Sequence, residues 1–279
     1  MSMNWFITGV GSGLGQALAA AAIARGDCVV GVLRNAEAAR TFETSALGRA
    51  KAILADVSDR DAMFAAVATA ERETGGIDIV VNNAGNALEA YVEEVDPEAV
   101  RALFEVNLLG PLHVIQAALP AMRGRGKGRI INISSGGGII GVPWVGLYSA
   151  SKFALEGMSE ALAAEVGPLG IAVTIVEPGA FRTNLLIREH SKSTSTIADY
   201  ERSVGKVQSR ISSMGGTEPG DPAKFAQAML KLADAADPPL RIALGDDAIA
   251  MALGKSDAIR RDIEAGRSLG SNLSHENRA

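Results

Sequence analysis

A single cysteine, three histidines and an aromatic content of only 4% remove several kinds of chemistry from this chain of 279 residues. Cys28 has no second cysteine to pair with, and its apolar surroundings predict a small buried hydrophobe. His113, His190 and His275 share no metal-ligand spacing and no acidic companions, so no chemistry is assigned to them. Rings are too scarce to build stacking platforms for nucleic acid. There is no basic excess either: the net charge of -5 and pI near 5.4 disfavour nucleic acid or an anionic membrane as electrostatic partners. No apolar run approaches the ~18 residues that span a bilayer, and no signal-peptide pattern precedes the first strand, so the expectation is a cytoplasmic protein.

What is present is a hydrophobic fraction of 47%, arranged as β-branched runs alternating with helical segments from residue 3 to about 180 without a linker. That alternation predicts one α/β domain with a doubly wound sheet. Residues 187–220 break it: they are polar and rich in Ser and Thr, with a helix expected from about Asp199 to Ser212. An insertion there either covers substrate or is a surface excursion. Asp221-Pro222 starts another helix, Arg241 to Leu244 reads as the last strand, and residues 271–279 read as a frayed tail.

The run Met3 to Thr8 reads as a short buried strand, and it enters Thr8-Gly9-Val10-Gly11-Ser12-Gly13-Leu14-Gly15 before an Ala-rich helix, Leu14 to Ala24. Strand, glycine turn and helix in that order make a dinucleotide site, because bare backbone amides and a helix N-terminus receive the pyrophosphate. The next strand, Cys28 to Leu33, ends at Arg34 instead of a carboxylate. An arginine there suits the 2′-phosphate of NADP, with Ser12 as a further donor, so NADP is favoured over NAD; the alternative is a solvated loop cation. Asp56-Val57 closes a third strand, Ala50 to Ala55. Asp56 either accepts from the adenine amino group or belongs to a turn in which Ser58 and Asp61 have capping-box-like spacing. A fourth strand, Ile77 to Asn82, runs into Asn83-Ala84-Gly85, whose small residues would let cofactor lie against backbone or simply brace the sheet.

A fifth strand, Arg129 to Ser134, leads into Ser135 and Gly136 to Gly138, where a serine hydroxyl either faces a substrate oxygen or bonds local backbone. Asn107 sits late in a helix whose start is marked by Asp96 as cap and Pro97 in its first turn; if buried, it must find partners. Tyr148 and Lys152 are four apart, so a helix places an ammonium beside a phenol. That charge favours phenolate and would lower a pKa that is ordinarily ~10.

Together these residues resemble the classical short-chain dehydrogenase/reductases over roughly residues 3 to 245. Thr8, Gly9, Gly13 and Gly15 match the family's glycine pattern, Asn82 to Gly85 its Asn-Asn-Ala-Gly, Asn107 its helix asparagine, Ser135 its serine, and Tyr148 with Lys152 its Tyr-x-x-x-Lys. Pro178-Gly179 and Thr183 match the segment that contacts the nicotinamide end. Phe104 to Leu112, Val176 to Thr183 and Pro238 to Gly245 are similar to the subgroup of 17β-hydroxysteroid and retinol dehydrogenases, whereas Gly136 to Gly138 replace bulkier residues and change one pocket wall.

The resemblance implies a parallel sheet in the order 3-2-1-4-5-6-7 and an alcohol/carbonyl oxidoreductase. In it Tyr148 is the general acid/base, Ser135 holds the substrate oxygen, Lys152 tunes the phenol and bonds the nicotinamide ribose, and Asn107 holds a water. No metal is expected. Val142, Trp144 and Leu147 suggest an apolar substrate wall or a packed loop, and the Asn107 and Tyr148 helices are expected to build a homo-oligomer. Rival readings are a noncatalytic NADP-binding regulator and an epimerase or dehydratase on the same fold.

Overall fold

Buried β-branched runs with no polar face require cover on both sides, which is the condition for a parallel sheet between two helix layers. A computed structural model describes residues 2–44, 46, 48–183, 185 and 197–275. In the first half, β1 (Asn4–Thr8), α1 (Gly13–Arg25), β2 (Cys28–Leu33), α2 (Ala36–Thr44), β3 (Ala50–Leu54), α3 (Arg60–Thr74) and β4 (Ile79–Asn82) alternate. The second half holds α4 (Pro97–Phe104), a π turn (Glu105–Leu109), α5 (Gly110–Arg125), β5 (Gly128–Ile133), a 3₁₀ turn (Gly136–Gly138), α6 (Gly146–Val166) and β6 (Ile171–Pro178), then α7 (Ala198–Ser213), α8 (Pro222–Asp234), β7 (Arg241–Leu244) and α9 (Asp246–Gly270). The strands form one seven-stranded sheet in the order β3-β2-β1-β4-β5-β6-β7, every neighbouring pair parallel.

Alternation along each strand sorts the core into two layers. Trp5, Ile7, Ile79, Val81, Ile131 and Val176 pack on one face against Leu18 and Ala22 of α1 and Phe225 and Met229 of α8. Phe6, Val30, Val80, Ile130 and Val173 pack on the other against Met63 and Val67 of α3, Val114 and Met122 of α5 and Leu162 of α6. Strand order reverses between β1 and β4, and their carboxyl ends therefore open a crevice.

Three local expectations change. The cap of α3 is Asp59, whose carboxylate accepts from the Ala62 amide at 3.0 Å, while Ser58 turns back to Asp56; the Ser58/Asp61 box does not form. Asn107 does not lie near a helix end but inside the π turn, where the Gly110 amide reaches Glu105 O, five residues back. Pro111 has no amide to continue the ladder, and the widened turn absorbs that loss. Joined through this turn, Pro97–Arg125 becomes 29 residues that are long and apolar enough to cross a membrane by length and composition, a stretch not seen in the sequence as one apolar run because charged residues interrupt it. Its Leu103, Val114, Ile115, Ala118 and Met122 are buried in the protein, as in a core helix.

Candidate active site

One cleft of about 1600 Å³ opens at the carboxyl ends of the strands. Gly9, Gly11, Ser12, Gly13 and Leu14 line it at the amino end of α1. Gly9 and Gly13 have φ of 75° and 60°, left-handed values that glycine adopts without steric cost. The first amides of α1 have no carbonyl within the helix to bond, so this end suits a diphosphate. Thr8 and Gly15 stand behind the cleft wall instead. The Thr8 hydroxyl accepts from the Asn83 and Ala84 amides at 3.0 Å, and Asn83 Nδ2 donates to Thr8 O at 2.9 Å. A Cβ on Gly15 would collide with Asn83 Nδ2 and Gly9 O. Asn83 thus lines the cleft and also locks β4 to the glycine turn, while Ala84 and Gly85 line the cleft beside it.

Arg34, Asp56 and Val57 line the same cleft, with the end of β2 beside the glycine turn. Arg34 Nη1 pairs with Asp56 Oδ2 at 3.2 Å, and the guanidinium side chain stays 63% exposed. Partial burial pushes the Asp56 carboxyl up, but the Ser58 amide and hydroxyl and then Arg34 outweigh it and hold it below the usual carboxylate value. Both alternatives for Asp56 therefore share one residue: it shapes the turn and still faces the cleft.

Across the crevice, Ser135 caps the 3₁₀ turn by accepting from the Gly137 amide at 3.0 Å. Tyr148, in the first turn of α6, is half-buried and lines the cleft together with Ser135, whose side chain influences the phenol. Burial pushes the phenol above its ordinary value and the Ser135 side chain only partly opposes this, so the lowering expected from Lys152 is not found. The geometry explains the difference: Lys152 Nζ donates to Ile133 O at 2.9 Å and lies 5.9 Å from the centre of the Tyr148 ring. Burial brings Lys152 itself down to about 8, against an upward pull from Glu156.

Asn107 is fully buried and does not line the cleft. Its Nδ2 donates to Asn86 O and Ser151 Oγ, both at 2.9 Å, and its Oδ1 accepts from the Asn86 amide at 2.9 Å. Ser151 in turn donates to Tyr148 O at 2.7 Å, so the asparagine ties the Gly85–Asn86 loop to the backbone of Tyr148. Pro178, Gly179 and Thr183 line the cleft after β6, with the Gly179 amide on Leu244 O at 2.9 Å and the Ala180 amide on Asp247 of α9 at 2.8 Å. Trp144 and Leu147 do not line the cleft. Trp144 packs the loop, donating from its indole to Glu89 Oε2 at 3.0 Å; Val142 does line the cleft.

Several participants were missed in the sequence. Ser151 and Glu156 could have been found by helical spacing from Tyr148 and Lys152. Glu156 accepts from Ser134 Oγ at 2.6 Å and pairs with Arg241 of β7, a partnership of residues 85 apart that no local pattern carries. Room for it exists only because Gly138 has no Cβ to strike Glu156 and Ser134. Gly136 likewise makes room for Met251 of α9, so the glycines move the pocket wall to distant residues.

Residues 4–194 match the family model described as short chain dehydrogenase. Oxidoreductase BOA17 of Botryotinia fuckeliana is 35% identical over 272 residues, 96% of this chain and 98% of that protein. The 17-beta-hydroxysteroid dehydrogenase type 6 of Rattus norvegicus is 34% identical over 196 residues, 68% of this chain and 61% of that one. A short-chain dehydrogenase from Streptomyces avermitilis superposes with a TM-score of 0.88 at 38% identity, covering 98% of each chain. A metagenomic short-chain oxidoreductase in complex with NADP gives a TM-score of 0.69 at 26% identity, with 88% of this chain and 97% of that chain covered. The chain belongs to the short-chain dehydrogenase family and is an oxidoreductase of the dehydrogenase/reductase kind.

Proposed function

We propose that the protein interconverts an alcohol and a ketone or aldehyde, using NADP(H) in preference to NAD(H), with Tyr148 as general acid/base. The observation that carries this reading is one cleft lined both by the glycine turn of α1 and by Ser135, Tyr148 and Lys152. The glycine turn and the free amides of α1 fit the diphosphate, and Arg34 fits a 2′-phosphate. When bound, the nicotinamide supplies or receives the hydride.

The residues of the chain handle the proton and the oxygen. A phenol pushed up by burial keeps its proton at neutral pH, which suits donation to a carbonyl oxygen in reduction; in oxidation Tyr148 takes the proton back. Ser135, on the same cleft wall as Tyr148, holds that oxygen through its hydroxyl. Lys152, protonated below about 8, favours phenolate at the moment the proton leaves and offers its ammonium to the nicotinamide ribose. Asn107 fixes the backbone under Tyr148 and, as in the family, would hold a water behind Lys152. Pro178, Gly179 and Thr183 receive the nicotinamide end. No metal is required.

The substrate half of the cleft is apolar, with Val142, Val145, Phe181, Ile211, Met214 and Met251 on its walls. The described part of segment 187–220 contributes α7, whose Tyr200, Val204 and Ile211 pack on the Tyr91–Trp144 cluster and cover that half. We read the chain as a single cytoplasmic domain that assembles through α4, α5 and α6, where Phe153 is 42% exposed. The test is NADPH consumption with a panel of apolar ketones, aldehydes, quinones and steroids: turnover in the unmodified protein, absent from Tyr148→Phe, is the expected result.

A further inference from the structure

Glu218 is the one acidic side chain among the described residues that is buried with neither carboxylate oxygen hydrogen-bonded. It is 1% exposed, in the loop between α7 and α8, and it lines the cleft beside Met214 and Pro219. Its position is not slack. The Gly220 amide bonds Ala180 O and the Arg182 amide bonds Gly220 O, both at 2.9 Å, which pins the loop to the segment leaving β6. Arg182 Nη2 donates at 3.2 Å to the backbone carbonyl of Glu218 and not to its carboxylate. Ionised, this side chain has oxygens without donors; protonated, it has a hydroxyl without an acceptor. Either state is costly beside the apolar Phe181, Ile211 and Met214 of the cleft wall. Such a group on a cleft wall calls for a partner from outside the chain, and a bound ligand can supply it.

We propose that Glu218 is a substrate-recognition residue that accepts a hydrogen bond from a hydroxyl or protonated amine on an otherwise apolar alcohol/carbonyl substrate. This rests on the reading of the cleft as an alcohol/carbonyl site and deepens it: the preferred substrate carries a second polar group besides the reacting oxygen. A charge-assisted bond of this kind is worth about 1.5–3 kcal/mol, hence a preference of roughly tenfold or more over the same molecule without the donor. Carboxylate sites that bind a donor discriminate well, because the analogue lacking it leaves the buried oxygens unpaired.

The test measures equilibrium binding of three probes to the NADP⁺-loaded protein: 2-decanol, 1,2-decanediol and 1-amino-2-decanol. In the unmodified protein the diol or the amino alcohol should bind at least roughly tenfold more tightly than 2-decanol, and the Glu218→Met variant, which has no acceptor oxygen, should abolish that advantage while leaving NADP⁺ affinity within about twofold. Binding of 2-decanol with no advantage for either donor-bearing probe overturns this inference alone. So does an advantage that survives in Glu218→Met, or a variant whose chief loss is NADP⁺ affinity, which would move the donor to the cofactor. Failure of all three probes to bind overturns the inference together with the alcohol/carbonyl reading. Because the comparison within the unmodified protein decides by itself, a variant that does not fold leaves the inference exposed to refutation.

Discussion

Arg34 and Asp56 form a 3.2 Å ion pair at the edge of the glycine turn, and the arginine remains more than half exposed. An exposed pair of this kind contributes ~0–1 kcal/mol, so it holds the guanidinium in place without consuming its remaining donors. A 2′-phosphate can therefore displace or share it at small cost. NADPH should bind more tightly than NADH, and Arg34→Asp should reverse the order by setting two carboxylates against the phosphate. Fluorescence titration of both cofactors checks this; equal dissociation constants in the unmodified protein would contradict it.

Tyr148→Phe keeps the ring and removes only the ionisable oxygen. Cofactor affinity should stay within about twofold while turnover falls by roughly 10²-fold or more, in the range of a lost general acid/base. Lys152→Ala should damage both, since the same ammonium is assigned to the phenol and to the ribose. Steady-state rates set beside cofactor titrations separate the two roles.

Lys152 also predicts a pH dependence of folding. Its folded-state value of about 8 lies below the ordinary 10.5, so between these values the unfolded chain binds more protons and stability contributed at this site rises with pH. Below about 8 the buried ammonium imposes its full cost, on the order of 3 kcal/mol. Lys152→Met should thus stabilise most at neutral pH and progressively less towards pH 10. Urea unfolding of both proteins across that interval reads the difference. Glu156→Gln removes the carboxylate that raises Lys152 and should move this window to lower pH.

Gly15→Ala places a methyl group against Asn83 Nδ2 and Gly9 O, two groups that hold β4 to the glycine turn. Backbone and a bonded amide cannot both yield, so a loss of ~1–3 kcal/mol is expected, together with weaker NADPH binding. Gly11→Ala is the control: its Cβ meets nothing closer than 3.5 Å, and stability should change little. Thermal melting of the two variants gives the comparison.

If α4, α5 and α6 are assembly faces, the protein should be a dimer or tetramer at micromolar concentration. Light scattering decides this, and Phe153→Glu, at an exposed site on α6, should shift the distribution towards monomer.

The glycine turn and the Tyr148–Lys152 spacing were readable because each depends on residues close in sequence, and the strand order followed from the family resemblance those residues carry. Asn107 was found by its type, but not its setting: helical periodicity does not reveal a turn one residue wider than its neighbours. For Trp144 the sequence left cleft wall and packed loop both open, and the indole turned to Glu89, which makes it a loop-packing residue. Arg241, Glu218 and Met251 were invisible for a plainer reason. They reach the site from elements far along the chain, and only folding brings β7, the loop before α8 and α9 over it. The first part of the predicted covering segment, residues 187–196, lies outside the described residues, as do 276–279 of the expected tail.

The π turn at Glu105–Leu109 has a genetic consequence. Deleting a single codon there would let α4 and α5 fuse into an ordinary helix, because the wide turn holds one residue more than an α turn. Asn107 would then lose its bearing on Asn86 and Ser151 even though every remaining residue was unchanged. The reverse event, insertion of one residue into a regular helix, is enough to turn a buried amide towards the loop that faces the cofactor. Reading frame length, and not side-chain identity alone, is part of what this site encodes.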